Sequence, residues 1–261
     1  MANKLAIVTG ASTGIGFELA TLAAKEGYDL IVVADEPLID AAAADFRQFG
    51  TEVQSVQADL STLDGVEALL ATAAGRAIDL VCANAGIGTG GPFLAQDVAA
   101  WRHSIDTNVT GTVYLLQKIL RDMVARDSGK VLVTGSIAGY IPGSFNAVYN
   151  ATKAFIDNFT EALRNELKDA KGVTLTTLMP GATDTEFFAR ADMLDTKVGR
   201  DDSKADPAKV AKDGWDALMA GKGHIVSGLA NKLQVAVAGI APQSVLAKLH
   251  RGMAEPGAGS G

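Results

Sequence analysis

The stretch LAIVTGASTGIG, residues 5–16, joins a short apolar run to a glycine-rich turn and then to a region of helical periodicity. The apolar run predicts a buried strand, and the turn predicts a helix that begins near Gly14. Glycines let a backbone approach a pyrophosphate closely, and a helix N-terminus offers free N–H groups and the positive end of its dipole. The stretch therefore predicts a dinucleotide-binding turn, with an ordinary tight β–α turn as the alternative.

The rest of the chain repeats this order of strand and helix. Short β-branched runs alternate with longer stretches of helical periodicity, which is typical of a parallel sheet covered on both faces. We predict an α/β fold: a doubly wound seven-stranded parallel sheet of the Rossmann type with helices on both faces. Strands are predicted at residues 5–8, 30–33, 53–57, 80–83, 130–134, 174–178 and 224–227. Helices are predicted to begin near residues 14, 38, 62, 97, 148 and 206, with Asp97 and Asp206 as N-caps.

Composition narrows the class of protein. The chain has 261 residues, of which 48% are hydrophobic, and 30 acidic against 23 basic residues give a net charge of −7. That charge removes the positive field that a nucleic acid partner requires. The one cysteine, Cys82, cannot form a disulfide within the chain, and His103, His224 and His250 lack the spacing of metal ligands. We expect a cytoplasmic protein without a metal site.

The organisation of the chain is predicted to be simple. No linker or shift in composition divides it, so we expect one domain over residues 1–254, with a substrate loop at about 186–205 and a flexible tail at 255–261. No apolar run reaches the roughly 20 residues of a membrane span. Residues 231–253 read as one amphipathic helix that closes over a pocket or joins subunits, with attachment to a membrane surface as the alternative.

The second predicted strand ends at Asp35, about 20 residues beyond the glycine turn, where an acidic side chain can accept hydrogen bonds from ribose hydroxyls. Its carboxylate would repel a 2′-phosphate, and the neighbouring Thr13 and Glu36 offer no positive charge to neutralise one. Asp35 therefore predicts a preference for NAD over NADP. A solvated turn aspartate is the alternative, and it would leave the choice of cofactor open.

Two further motifs stand where predicted strands end. Asp59 and Leu60 follow the third strand, and Asn84, Ala85 and Gly86 follow the fourth. Ligands of open α/β sheets bind beyond the carboxyl ends of the strands, so both motifs are expected to face the cofactor. Taken singly, each is also ordinary turn chemistry, because Asp, Asn and Gly are common turn formers.

A third group of residues points to catalysis. Tyr149 and Lys153 lie four residues apart on one predicted helix, and Ser136 follows the fifth strand. A carbonyl oxygen held between a serine hydroxyl and a tyrosine phenol is polarised toward hydride attack, and the phenol can supply the proton. An ammonium at about 4 Å would stabilise a phenolate by roughly 4 kcal/mol at an effective dielectric of about 20. We therefore expect Lys153 to lower the pKa of Tyr149.

Together these motifs resemble the short-chain dehydrogenase/reductase family, in its compact single-domain branch. The resemblance runs from about residue 5 to residue 185 and rests on TGxxxGIG at 9–16, DL at 59–60, NAG at 84–86, Asn108, Ser136, YxxxK at 149–153 and PG at 180–181. It implies a catalytic tetrad of Asn108, Ser136, Tyr149 and Lys153, in which Asn108 holds a water that links the lysine to a proton relay. It also implies that the helices containing Asn108 and Tyr149 contact a second subunit, giving a homodimer or homotetramer.

The same resemblance completes the cofactor site. It implies that the loop after the sixth strand contacts the nicotinamide carboxamide, through the backbone of Thr183 and the hydroxyl of Thr185. Family members commonly carry an aliphatic residue at the position of Thr183, a change that a backbone contact tolerates. The full predicted set is Gly10, Ser12, Thr13, Gly14, Ile15, Gly16, Asp35, Asp59, Leu60, Asn84, Ala85, Gly86, Tyr149, Lys153, Pro180, Gly181, Thr183 and Thr185.

These expectations combine into an NAD-dependent oxidoreductase that interconverts a secondary alcohol and a ketone on a small apolar substrate. The predicted pocket residues are Phe187, Phe188, Met193, Leu194, Ile137, Tyr140, Ile141 and Phe145. Arg190 and Lys197 leave a carboxylate or phosphate on the substrate possible. One alternative is a sensor or scaffold that binds NAD without chemistry. Another is an epimerase or dehydratase that uses NAD transiently, although such relatives usually carry a separate substrate domain.

Overall fold

The fold was analysed in a computed structural model that describes residues 3–260. Its centre is a seven-stranded parallel sheet in the order β3-β2-β1-β4-β5-β6-β7. The strands are β1 (Leu5–Thr9), β2 (Asp29–Ala34), β3 (Val53–Gln57), β4 (Ile78–Ala83), β5 (Gly129–Thr134), β6 (Val173–Met179) and β7 (His224–Val226). The predicted α/β fold is confirmed. The strand order reverses between β1 and β4, and a ligand crevice opens at such a reversal.

Helices cover both faces of the sheet. They are α1 (Gly14–Lys25), α2 (Leu38–Arg47), α3 (Leu63–Ala71), α4 (Val98–Ile105), α5 (Thr112–Ala125), α6 (Ala147–Glu166), α7 (Phe187–Arg190), α8 (Lys197–Arg200), α9 (Pro207–Met219), α10 (Leu229–Ala238) and α11 (Gln243–Ala254). One core layer packs α1, α2 and α9 on the sheet through Leu19, Phe46 and Trp215. The opposite layer packs α3, α5 and α6, with Leu116 and Ile156 fully or almost fully buried.

The central strands β1 and β2 are buried along their whole length, in keeping with their mostly apolar sequences, whereas the edge strands β3 and β7 are partly exposed. The predicted boundaries are short by one or two residues at several strands, as at β2, which begins at Asp29 instead of residue 30. The carboxylate of Asp29 accepts hydrogen bonds from Asn3 and Arg76, which lets a charged residue occupy a buried strand position. Cys82 is fully buried in β4.

Both predicted N-caps are confirmed. The Asp97 carboxylate accepts a hydrogen bond from the Ala99 amide at 3.2 Å at the start of α4. The Asp206 carboxylate accepts one from the Ala208 amide at 3.0 Å, and Pro207 occupies the first turn of α9. Each cap fixes where its helix begins, because the carboxylate satisfies an N–H group that has no partner within the helix.

The C-terminal region differs from its prediction. The single helix expected at 231–253 is two helices, α10 and α11, because Pro242 cannot donate to a continuing helical ladder. The tail expected to fray is hydrogen-bonded up to its last described residues: the Gly257 amide donates to the Asp195 carboxylate and the Gly259 amide to its carbonyl. Residues 1, 2 and 261, which the predicted domain and tail include, lie outside the described residues. Over residues 3–260, no helix combines the length and apolarity needed to cross a membrane.

Candidate active site

The glycine turn between β1 and α1 forms one end of the site. Gly10 and Gly14 have φ angles of +63° and +58°, a region that side chains disfavour. A Cβ on Gly16 would stand 2.0 Å from the Gly10 carbonyl oxygen, so α1 can begin this close to the turn only with glycine there. No side chain caps the start of α1. Its free N–H groups and open approach fit the phosphates of a dinucleotide.

Asn84 ties together the strands that border the crevice. The Thr9 hydroxyl oxygen accepts hydrogen bonds from the Asn84 and Ala85 amides, both at 2.9 Å. The Asn84 side chain donates to the Thr9 carbonyl at 3.3 Å and accepts from the Thr134 hydroxyl at 3.0 Å. The carboxyl ends of β1, β4 and β5 are therefore braced by one amide side chain.

A cavity of about 280 Å³ runs from the glycine turn to the catalytic candidates. Most of the predicted site residues line it: Gly10, Ser12, Thr13, Gly14, Ile15, Asp35, Asp59, Leu60, Asn84, Ala85, Gly86, Ser136, Tyr149, Lys153, Pro180, Gly181, Thr183 and Thr185. Gly16 and Asn108 do not line it. Gly16 lies beneath the turn, where its role is close packing.

Asn108 is held by the protein itself. It lies in a π-helical turn, Asp106–Gly111, and is 2% exposed. Its side-chain oxygen accepts from the Ile87 amide at 2.8 Å, and its nitrogen donates to the Ile87 carbonyl at 2.8 Å and to the Thr152 hydroxyl at 3.0 Å. The wider turn lets a buried amide reach the loop after β4. Asn108 thus fastens that loop to α6.

Ser136, Tyr149 and Lys153 meet at the other end of the cavity. Ser136 begins a 3₁₀ turn after β5, and its hydroxyl accepts from the Ala138 amide at 3.1 Å and donates to the Pro180 carbonyl at 3.4 Å. On α6, the Lys153 Nζ donates to the Thr134 carbonyl at 2.8 Å and lies 5.7 Å from the centre of the Tyr149 ring. All three predicted side chains line the cavity.

The pKa of Tyr149 contradicts one sequence-based expectation. Burial raises the pKa of Tyr149 to about 12, while the Ser136 hydroxyl opposes the rise and the negative charge of Asp157 adds to it. Burial also lowers the pKa of Lys153. The expectation that Lys153 lowers the pKa of Tyr149 is wrong in this structure, because desolvation of the phenol outweighs the other contributions and the Lys153 ammonium is directed at the Thr134 carbonyl. Tyr149 is a protonated acid at neutral pH.

A basic residue stands at the opposite end, near Asp35. The Glu36 carboxylate accepts hydrogen bonds from the Ser12 hydroxyl at 2.6 Å and from Arg190 of α7 at 2.7 Å. These contacts lower the pKa of Glu36. Thr13 and Glu36 themselves carry no positive charge, as the sequence shows, but Glu36 brings the Arg190 guanidinium to this end of the cavity. Arg190 lies 154 residues from Glu36 in sequence, and only the fold brings the two together.

The substrate side of the cavity is apolar. Phe187, Phe188, Met193 and Val198 line it, and the Phe187 ring lies 4.8 Å from the Tyr149 ring, centre to centre. Of the predicted pocket residues, Leu194, Ile137, Tyr140, Ile141 and Phe145 do not line the cavity. Leu194 points outward, and Tyr140 packs its hydroxyl on the Met179 sulfur at 3.4 Å.

Sequence reasoning missed further lining residues, among them Asn146, Glu186 and His250. His250 reaches the cavity from α11, where its ring nitrogen Nδ1 contacts the Ser144 carbonyl at 2.9 Å. The α11 part of the C-terminal segment therefore does border the pocket. A histidine beside Leu246 on the apolar side of an amphipathic helix was the available signal.

Comparison with known proteins places this architecture in a family. The sequence profile of short chain dehydrogenases matches residues 4–193. The chain belongs to the short-chain dehydrogenase family. An uncharacterized oxidoreductase from Myxococcus xanthus is 36% identical to this chain over 197 residues, an alignment that covers 72% of this chain and 76% of that protein. One from Staphylococcus epidermidis is 32% identical over 198 residues, 75% and 84% of the respective chains.

Solved structures agree with this short-chain dehydrogenase assignment. A short-chain dehydrogenase from Sphingobium yanoikuyae, in complex with NADPH, has a TM-score of 0.80 and 25% identity, covering 92% of this chain and 97% of that one. A short-chain dehydrogenase/reductase from Burkholderia phymatum, in complex with NAD, shares the fold with a TM-score of 0.82 at 24% identity, covering 90% and 92%. The protein is an oxidoreductase of the short-chain dehydrogenase family.

Proposed function

We propose that this short-chain dehydrogenase interconverts a secondary alcohol and a ketone on a small apolar substrate, with Tyr149 as the acid and base. One observation carries the proposal: Ser136, Tyr149 and Lys153 line the same cavity as the glycine turn. The catalytically silent sensor remains the alternative, and it has no need of a tyrosine phenol beside a buried ammonium.

The cofactor would lie along the carboxyl edge of the sheet. The turn at Gly10 and Gly14 and the start of α1 would hold its phosphates, Asp35 its adenosine ribose, and the loop with Thr183 and Thr185 its nicotinamide. When bound, a nicotinamide cofactor supplies or accepts the hydride. A Cβ on Gly14 would come within 2.7 Å of the Thr185 side chain, so the two sides of this cradle already touch.

The protein's own residues manage the proton. Because the pKa of Tyr149 is raised to about 12, its phenol keeps its proton at neutral pH and can donate it to a carbonyl oxygen during reduction. The Ser136 hydroxyl is held by two backbone contacts and offers a second polar contact to the same oxygen. Phe187 excludes water from this side of the phenol.

The lining supports an apolar substrate. Phe187, Phe188, Met193 and Val198 surround the catalytic end. Arg190, the cation that the substrate loop brings to the cavity, is engaged by Glu36. A ketone with hydrocarbon substituents therefore fits this lining better than a carboxylate or phosphate.

For the cofactor we propose NAD over NADP, supported by Asp35 and Glu36 at the ribose end. Arg190 is the feature that opposes this preference, since a freed guanidinium could accept a 2′-phosphate.

For the assembly we propose a homodimer or homotetramer that uses α6. Phe155 is 46% exposed on that helix and stacks on Phe159 at 5.9 Å, a surface that a second subunit would cover. A mass of one chain in light scattering would contradict this arrangement.

The catalytic proposal is tested by Tyr149→Phe against Tyr140→Phe. Removing the Tyr149 hydroxyl should lower kcat for ketone reduction by about 10³-fold, because the proton donor is lost, and should leave NADH affinity unchanged. Tyr140 belongs to the same 3₁₀ turn as the Ser136 loop but does not line the cavity, so its variant should retain activity. Wild-type turnover in Tyr149→Phe would overturn the mechanism. Tight NADH binding with no turnover on any ketone or alcohol would favour the sensor.

A further inference from the structure

Asp157 extends the row of functional side chains on α6. Tyr149, Lys153 and Asp157 follow one another at four-residue spacing, so they lie on the same face of the helix. The first two line the cavity, while Asp157 lies one turn deeper. The mechanism proposed above gives it no role.

The carboxyl group of Asp157 is enclosed. Both of its oxygens are buried, and within residues 3–260 neither accepts a hydrogen bond of normal geometry, although the Ser136 amide lies close enough to lower the pKa of the acid. A buried carboxylate with so little compensation is costly to keep and rare in folded proteins. Its retention at this position therefore calls for a function.

Two glycines make the space for this carboxyl. A Cβ on Gly135 would stand 1.8 Å from Oδ1, and a Cβ on Gly139 would stand 2.6 Å from Oδ2. Gly135 directly precedes Ser136, and Gly139 lies within the 3₁₀ turn that Ser136 begins. The amides of Gly135 and Gly139 donate to Leu178 and Ser136 carbonyls, so they do not neutralise the acid. Asp157 thus fills the space beneath the serine loop, residues 135–139.

The groups that face Asp157 are a cation and two phenols. Lys153 and Tyr149 stand on its own helix, and Tyr140 faces it from the 3₁₀ turn. One turn further along α6, Glu161 is exposed and paired with Arg164. The serine loop, residues 135–139, and β6 contribute no ionisable side chain.

The ionisation of Lys153 is coupled to that of Asp157. Burial lowers the pKa of Lys153, and the charge of Asp157 opposes the decrease. In return, burial raises the pKa of Asp157, and the Lys153 charge and the Ser136 amide oppose that rise. The Lys153 ammonium otherwise has a neutral partner, the Thr134 carbonyl. Without the acid, a buried amine would lose its proton more readily.

We propose that Asp157 is a positioning residue: seated between Gly135 and Gly139, it is the counter-charge that keeps the Lys153 ammonium protonated and directed at the Thr134 carbonyl. This inference rests on the proposed function of Tyr149 and Lys153 and adds a member to their row. The negative charge of Asp157 also raises the pKa of Tyr149, which helps to keep the phenol protonated as an acid.

The direct test titrates Lys153 in the full-length protein. The side-chain ammonium signals of isotope-labelled lysine are followed by NMR, and the Lys153 signal is assigned by its absence from Lys153→Met. In Asp157→Asn, which keeps the shape and removes the charge, the titration midpoint should fall by about one pH unit or more, a tenfold change in the ionisation constant. An unchanged or raised midpoint would overturn the proposal.

Two further variants separate charge from packing. Glu161→Gln removes an exposed acid from the same helix and should leave the midpoint unchanged; a fall equal to that in Asp157→Asn would contradict the assignment to Asp157. Asp157→Ser removes bulk as well as charge, and it should lower the midpoint as Asp157→Asn does. It decides the question alone if the asparagine variant does not fold.

Enzyme assays distinguish this inference from the proposed function. In Asp157→Asn, the alkaline limb of the kcat/KM profile should move to lower pH together with the Lys153 midpoint. Absence of turnover in the wild-type protein would count against the proposed function, while the titration would still judge the role of Asp157. An active wild-type enzyme whose Lys153 midpoint ignores Asp157 would refute this inference alone.

Discussion

The two ends of the cavity treat charge in opposite ways. At the ribose end, Glu36 is partly exposed and paired with Ser12 and Arg190, and these contacts lower its pKa. At the catalytic end, Lys153 and the carboxyl group of Asp157 are buried. Burial lowers the pKa of Lys153 and raises the pKa of Asp157, which favours the neutral form of each. Glu36 is thus a paired carboxylate whose charged form is favoured, whereas burial opposes the charged forms of Lys153 and Asp157.

This difference assigns a separate physical task to each end. In the proposed function, the glycine turn would hold the cofactor phosphates through backbone shape and helix N–H groups, which need no unusual ionisation. Proton transfer needs groups whose protonation differs from that in water, and burial supplies the difference. Local rules of stability are commonly violated where function requires it. Cofactor affinity at the ribose end should therefore change mainly with the shape of the glycine turn and with the charge pair of Glu36 and Arg190. The properties of the catalytic end should change mainly with pH.

The shape of the turn offers the largest test of this contrast. In Gly16→Ala, the new Cβ would meet the Gly10 carbonyl oxygen, so the turn must shift. We expect a loss of about 2 kcal/mol in the free energy of unfolding, together with at least about tenfold weaker NADH binding. Urea denaturation and fluorescence titration with NADH measure the two effects.

Gly252→Ala is the matched control, because Gly252 also lies within a helix but has open space where its Cβ would be. It should stabilise the protein by about 0.5–1 kcal/mol through helix propensity and leave NADH affinity unchanged. Equal destabilisation by the two substitutions would show that the turn is not sterically special.

Paired charge at the ribose end offers a smaller test. Glu36→Ala removes an anion near the ribose site and frees Arg190. The kcat/KM ratio of NADPH to NADH should rise by about tenfold, the equivalent of roughly 1.4 kcal/mol. In the double variant with Arg190→Ala, the gain should disappear. A gain that persists there would assign it to the lost anion and not to the guanidinium.

The smallest expected effect concerns His250 at the catalytic end. Burial lowers the pKa of His250, while its contact with the Ser144 carbonyl opposes the decrease. The unfolded chain therefore binds a proton more readily than the folded one, and stability should fall as the pH drops below about 6.5. The decrease in Tm between about pH 7.5 and about pH 5.5 should be smaller in His250→Gln. His224→Gln, at an exposed position, should match the wild type.

Sequence alone could predict the glycine turn and the start of α1 because their signals are local. The turn at residues 9–16 and the strand before it occupy one stretch of chain, and glycine spacing reports the close approach of α1. The YxxxK spacing similarly fixes Tyr149 and Lys153 on one helix face. What such spacing does not carry is burial, and burial reversed the expected pKa of Tyr149.

The remaining errors come from contacts between distant parts of the chain. Arg190 and Glu36 lie 154 residues apart in sequence, so only the folded chain brings them together. The two glycines that enclose Asp157 read in sequence as ordinary turn residues after β5. Composition at residues 255–261 likewise gives no sign that Asp195 accepts hydrogen bonds from the amides of Gly257 and Gly259. Composition reports what a segment prefers alone, not what a neighbouring loop offers it.

Cys82, the single cysteine, is fully buried in β4, and burial raises the pKa of its thiol to about 12. A neutral thiol without solvent access reacts with neither disulfides nor alkylating reagents. Alkylation must therefore wait until the central strands separate. The native chain carries its own reporter, and the rate at which the reagent consumes the thiol measures how often the middle of the sheet opens.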